Sequence, residues 1–162
     1  MRIVILSSLI LATLTACSSY APPANLTDFT KDELVAKMGP PDVQRQTPTG
    51  MRLEFPRGPA GRHTWFVYLD ASGRPTRADQ VLTEDNFNLI TPGMAQDEVR
   101  HRLGRPSEVQ GLARARGVVW NYRYENHFCQ WFQVEISQEQ QVRSTGYGQP
   151  PECMGHDDII IP

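Results

Sequence analysis

Met51, Leu53 and Phe55 are apolar, and the residues between them, Arg52 and Glu54, are charged. Alternation of period two is the mark of a strand with one buried face. The same reasoning predicts strands over residues 64–69 and 77–82, and later over 118–124, 129–136 and 142–147. A helical stretch precedes each trio. In the first, Leu34, Val35 and Met38 share one apolar face, and Thr30-Lys31-Asp32-Glu33 reads as a capping box in which hydroxyl and carboxylate reciprocally satisfy backbone N–H groups. Gly39 can take the left-handed conformation that ends a helix, and Pro40-Pro41 bars its continuation. The second trio follows a short segment capped by Thr83 and then a helix over residues 95–103, with Met94, Val99 and Leu103 apolar and Gly104 at its end. Ala95 stands where the first unit has Thr30, so this cap is weaker. The predicted fold class is α+β: two tandem ααβββ units, each with short helices packed on a three-stranded antiparallel sheet.

The tandem reading rests on letters as well as pattern. Asp32-Glu33-Leu34, Met38-Gly39 and Pro41 recur as Asp97-Glu98-Val99, Leu103-Gly104 and Pro106, an offset of 65 (97 − 32). Leu53 and Phe55 fall on Val118 and Trp120 at the same offset. Trp65-Phe66 matches Trp131-Phe132 and Arg77 matches Arg143 at 66 (131 − 65). The predicted organisation is a first repeat over 26–81, a second over 82–148 and a tail over 149–162 without clear period.

Residues 1–16 belong to another kind of segment. Arg2 is a positive n-region and residues 3–12 are mainly apolar, too short to cross a bilayer core as a helix of about 20 residues. Leu14-Thr15-Ala16-Cys17 is similar to a bacterial lipobox. That likeness implies a cleaved signal peptide, a diacylglycerol on the Cys17 sulfur, a further acyl chain on its amino group, and a lipidated tether over 17–25. Several acyl chains hold a protein on a membrane stably. Ser18, rather than an aspartate that would retain many lipoproteins on the inner membrane, points by the same likeness to the periplasmic face of the outer membrane.

Cysteine arithmetic follows. With Cys17 acylated, Cys129 and Cys153 remain as an even pair in an oxidising compartment, which predicts a disulfide. The alternative is a metal site of His127, Cys129, Cys153 and His156, a ligand set that zinc accepts although the spacing matches no common zinc pattern.

Charge and motif content narrow the functions. The formal net charge is −2, and becomes −3 once Arg2 is removed; there is no run of Lys or Arg, so a nucleic-acid partner lacks its electrostatic footprint. Thirteen Pro and twelve Gly in 162 residues favour short elements joined by turns over long helices. His63, His101, His127 and His156 are scattered, and neither a nucleophile elbow nor a phosphate-binding loop occurs, so no enzyme and no cofactor are expected. The aromatic residues are the best candidates for a binding surface: Trp65, Phe66, Tyr68, Trp120, Tyr122, Tyr124, Trp131 and Phe132. Neighbours on a strand point to opposite faces, so one member of Trp65-Phe66 and one of Trp131-Phe132 is expected to face a partner.

Leu82-Thr83, Ile90-x-x-Gly93-Met94, Val99, Leu103-Gly104-x-Pro106 and Trp120-x-Tyr122 together resemble the SmpA/OmlA domain of BamE-type outer-membrane lipoproteins. The likeness covers residues 82–147 well and the first repeat only from Phe29 onward; Gln80-Val81 stand where the family has Asn-Tyr. It implies an accessory role in assembling β-barrel proteins, with contacts to the β-barrel assembly machinery and to anionic lipid. The tandem copy looks more like the β-lactamase inhibitory proteins, which implies the alternative of a membrane-tethered module gripping an enzyme on a concave aromatic sheet. Fold analogy alone does not fix function.

Overall fold

The computed structural model describes residues 20–112 and 116–154. The chain is α+β, with two four-stranded antiparallel sheets, each a meander in sequence order. After a 3₁₀ turn at Leu26–Asp28 come α1 (Lys31–Met38), β1 (Val43–Thr47), β2 (Gly50–Arg57), β3 (His63–Asp70) and β4 (Pro75–Gln80). Then follow α2 (Glu84–Phe87), α3 (Gln96–Leu103), β5 (Glu108–Leu112), β6 (Gly117–Arg123), β7 (Trp131–Ser137) and β8 (Val142–Gly148).

Three-stranded sheets were expected, and each sheet has one strand more. The added strands, β1 with sequence VQRQT and β5 with EVQGL, are edge strands with no continuous buried face. They are held by ladder hydrogen bonds to β2 and β6, which polar side chains do not prevent. The single helix of the first unit also differs from the predicted pair: only a 3₁₀ turn stands where a second helix would be.

The helix termini follow their local sequence. The N–H of Glu33 donates to the Thr30 hydroxyl at 3.3 Å, and the N–H of Thr30 donates to Glu33 Oε2 at 2.8 Å. At α2, Asn86 N–H donates to the Thr83 hydroxyl at 3.3 Å, whereas Ala95 gives α3 no side-chain cap. The Thr30 backbone N–H, then its hydroxyl, hold the Glu33 carboxyl below the usual carboxylate range. A carboxylate with a depressed folded-state pKa contributes stability that is present above its unfolded value and lost as pH falls through its folded value. Loss of the Thr30 hydroxyl cap in Thr30→Ala is expected to cost about 1 kcal/mol, and, because the backbone N–H that alanine keeps is the larger influence on Glu33, to flatten the acid limb of stability against pH only in part. Urea unfolding of both proteins between neutral and acidic pH measures this; equal stability of the two at neutral pH would remove the capping explanation.

The sheets carry equivalent pairings, but not at the offsets the letters suggested. Leu53 lies opposite Val67 and Trp120 opposite Val134, an offset of 67 (120 − 53). Each sheet has a β-bulge at the same place, between Tyr68 and Leu69 and between Glu135 and Ile136, again 67 apart (135 − 68). Gly50 and Gly117, which open β2 and β6, also correspond. A Cβ on Gly50 would lie 2.1 Å from the Leu69 carbonyl oxygen, and one on Gly117 would lie 2.4 Å from that of Ile136. By contrast α1 and α3, and β1 and β5, keep the offset of 65: Gln44 faces Leu53 as Val109 faces Trp120 (109 − 44). The two-residue difference therefore sits in the first hairpin, where Pro48 and Thr49 link Thr47 to Gly50 and residues 113–116 link Leu112 to Gly117.

Packing separates the two faces of the first sheet. Leu53, Phe55, Val67 and Leu69 form one core with Leu26 and Leu34. The opposite face is not open to solvent. Phe66 is buried in the second core with Val81, Phe87, Leu103 and Tyr122, and Tyr68 packs against that cluster. The end of α3 approaches β3 so closely that a Cβ on Gly104 would lie 3.0 Å from Thr64 Cγ2 and 3.4 Å from Phe66 Cε1. The layers therefore run α1, first sheet, α2 and α3, second sheet.

Arg52 and Glu54, expected at the surface by alternation, are consequently buried at 4% and 2% relative exposure. Glu54 Oε1 accepts from Arg52 and Arg45, each at 2.7 Å, and the Arg52 guanidinium lies 4.1 Å from the centre of the Phe66 ring. Buried charges persist only when paired and hydrogen-bonded, and this trio supplies the pairing. Partial burial, reinforced by Arg52 and Arg45, holds His101 on α3 below the usual imidazole pKa.

Candidate functional site

The aromatic residues proposed as a binding surface are largely core. Trp120, Tyr122 and Phe66 are buried in the second cluster, and Trp65 is packed against the first. The Tyr122 hydroxyl donates to the Gly104 carbonyl at 3.2 Å, and burial pushes its pKa well above the usual phenol range. Phe132 stacks on Phe87 with centroids 4.3 Å apart, and Tyr124 meets Phe87 edge-on at 5.0 Å. Tyr68 is half-buried beneath Arg77, whose guanidinium lies 4.2 Å from its ring centre.

No member of either aromatic pair is an exposed residue. In the first sheet the cause is the second unit, which covers the face that alternation assigns to solvent. Trp131 does lie on the far face of the second sheet, across from the core. There Arg123 stacks 5.1 Å from its ring centre, and Glu152 from the turn Pro151–Cys153 pairs with Arg123. Trp131 is left only 4% exposed.

The other predicted residues divide by position. Cys17 and His156 lie outside the described residues. Cys129 and Cys153 form a disulfide with Cα atoms 6.3 Å apart, within the range such bonds span. Sulfurs bonded to each other are not thiolates, so the zinc alternative loses half its ligands. Among the described residues no group of three or more His, Cys, Asp or Glu side chains is placed to hold a metal ion.

The disulfide instead organises one end of the molecule. It joins the β6–β7 loop to the C-terminal turn beside a cavity of about 160 Å³ lined by Arg62, Arg123, Asn126, His127, Gln130 and Pro150. Two residues given no role by the sequence stand out here: Phe128 is 74% exposed and Met154 is 41% exposed. A signal was present, an apolar residue isolated among the polar residues of 125–130 in a loop tied by a cysteine. The far face of the second sheet also carries a largely polar hollow of about 170 Å³ bordered by Val119, Gln133, Glu135, Ser144 and Thr145.

No family model matches the chain, and no curated protein matches it. Among solved structures it is similar to a proposed beta-lactamase inhibitor protein from Streptococcus mutans, at 9% identity and a TM-score of 0.35, over 74% of this chain and 82% of that one. It is also similar to a DUF4309 family protein (YjgB) from Bacillus subtilis, at 12% identity and a TM-score of 0.29, over 77% of this chain and 81% of that one. At these identities and scores neither likeness assigns a function.

Proposed function

We propose that the protein is a lipid-anchored lipoprotein on the periplasmic face of the outer membrane, a non-enzymatic accessory or scaffold in β-barrel protein assembly or envelope integrity. The observation that carries this reading is Leu14-Thr15-Ala16-Cys17 at the end of a short apolar run. The Ile90-x-x-Gly93-Met94 and Leu103-Gly104-x-Pro106 elements support it. Ile90 and Leu103 are buried in the second core, and Gly104 permits the close approach of α3 to β3. Those elements thus have a structural job, so they bear on family likeness and do not by themselves mark a partner site.

The alternative of an enzyme-gripping module on a concave aromatic sheet is disfavoured by the burial of Phe66, Trp120, Tyr122 and Trp131. One experiment addresses both readings. The intact protein and Cys17→Ser are crosslinked in cells, extracted in detergent, purified and examined by mass spectrometry. Expected are recovery of barrel-assembly components with the intact protein and release of the Cys17→Ser form from the membrane fraction. Recovery of a single soluble periplasmic enzyme instead would overturn the accessory role.

A further inference from the structure

Phe128 and Met154 are exposed apolar side chains on either side of the same bond: Phe128 precedes Cys129, and Met154 follows Cys153. The bridge keeps both at one place on the surface. The loop is also held from within. Asn126 Oδ1 accepts from the N–H of Phe128 at 3.0 Å and of Gln130 at 3.1 Å, while its Nδ2 donates to the carbonyls of Tyr124 at 3.1 Å and Gln130 at 2.8 Å. Phe128 is thus presented by a tied loop.

The incoming chain reaches this same end. The Tyr20 ring stacks on His63 with centroids 5.8 Å apart, and His63 Nε2 lies 3.8 Å from Glu125. The neighbouring Arg62 shares the cavity with His127 and Cys129. Tyr20 is three residues from Cys17 (20 − 17), a stretch that spans at most about 11 Å when fully extended. A lipid on Cys17 would therefore hold this end of the molecule, and not the opposite one, against the bilayer.

We propose that the disulfide-tied tip, with Phe128 and Met154, rests in the interfacial layer of the bilayer that bears the anchor, and so fixes the orientation of the domain on the membrane. This inference rests on the lipid-anchor reading. The contact is apolar in character, because the charges beside it are of both signs: Arg123 is paired with Glu152, and Glu125 faces His63. Interfacial binding by apolar burial needs no anionic lipid.

The test uses the full-length lipidated protein in phosphatidylcholine vesicles, with or without brominated acyl chains that quench tryptophan. Phe128→Trp places a reporter at the tip. Ala71→Trp places one in the β3–β4 turn, at the other end of the first sheet. The three native tryptophans are packed in the protein and supply the common background. With the wild-type emission subtracted, the emission of the added tryptophan is expected to fall by more than half in brominated vesicles for Phe128→Trp and to stay unchanged for Ala71→Trp. Equal quenching of the two, or none in either while the protein still floats with the vesicles, would overturn the orientation and leave the anchor intact. If the protein does not float, or Cys17→Ser floats equally well, the anchor reading fails and this inference with it.

Discussion

Phe66→Ala is expected to destabilise the whole molecule by about 3–5 kcal/mol, the range for removing a large aromatic side chain from a packed core. Phe66 belongs by sequence to the first sheet and by packing to the second core, where it is 2% exposed. Its loss opens a cavity between β3 and the end of α3, at the place where Gly104 lets the helix come close. A cavity there weakens the contact between the layers as well as the core. Urea unfolding read by tryptophan emission is the measurement, because Trp65 reports on the first core and Trp120 on the second. A Trp65→Phe background keeps only Trp120 and Trp131 of the second sheet, and a Trp120→Phe, Trp131→Phe background keeps only Trp65, which separates the two signals. A single transition shifted equally in both backgrounds is the expected result. Two transitions, with only the Trp120 signal displaced, would mean that the units unfold independently.

Glu54→Leu is expected to cost about 3–5 kcal/mol, because removing one partner of a buried ion pair leaves the other charge uncompensated. That charge is Arg52, at 4% exposure, and its Nε already lacks a hydrogen-bond partner among the described residues. Arg45 is 39% exposed at its side chain and can turn to water once Glu54 is gone; Arg52 cannot. The double replacement Arg52→Met with Glu54→Leu is therefore expected to recover much of the loss, since an apolar pair of similar volume removes the unpaired charge. Chemical unfolding of the single and double variants measures the coupling. A double variant less stable than Glu54→Leu would show that Arg52 matters through its packing on Phe66. The Arg52–Phe66 contact also means that Glu54 and Phe66 replacements will not add independently.

Local features of the chain were legible because their causes are local. The Thr30–Glu33 box, the Thr83 cap, the missing cap at Ala95 and the helix stops at Gly39 and Gly104 each depend on a few neighbouring residues. The pairing of Cys129 with Cys153 could be expected from the cysteine count together with the oxidising compartment that the lipobox likeness implies. The α+β class and the two-sheet layout followed from apolar periods of two and of helical type.

Strand equivalence shows where letters mislead. Leu53 and Phe55 were set against Val118 and Trp120 at 65, and the sheets pair at 67. An error of two keeps every side chain on its proper face, so the predicted core survived it. The match of Trp65-Phe66 to Trp131-Phe132 at 66 is off by one, and one residue exchanges the faces. Trp65 corresponds to Phe132, opposite Phe55 and Tyr122 respectively, and both point to a core; Trp131 corresponds to Thr64. Identical letters on adjacent positions suggested one shared surface where the ladders place two.

The sequence by itself determined the helix boundaries to within their caps, the alternation of the central strands and the disulfide partners. All of these depend on short spans or on composition. Only the tertiary structure decided that the polar sequences VQRQT and EVQGL are strands, since backbone pairing with a neighbour is indifferent to their side chains. It alone buried Arg52, Glu54 and Phe66, because alternation shows that a strand has two faces and cannot show what lies over the second. In this chain a helix whose Leu103 lies thirty-seven residues beyond Phe66 covers it (103 − 66), and no local pattern records an approach at that distance.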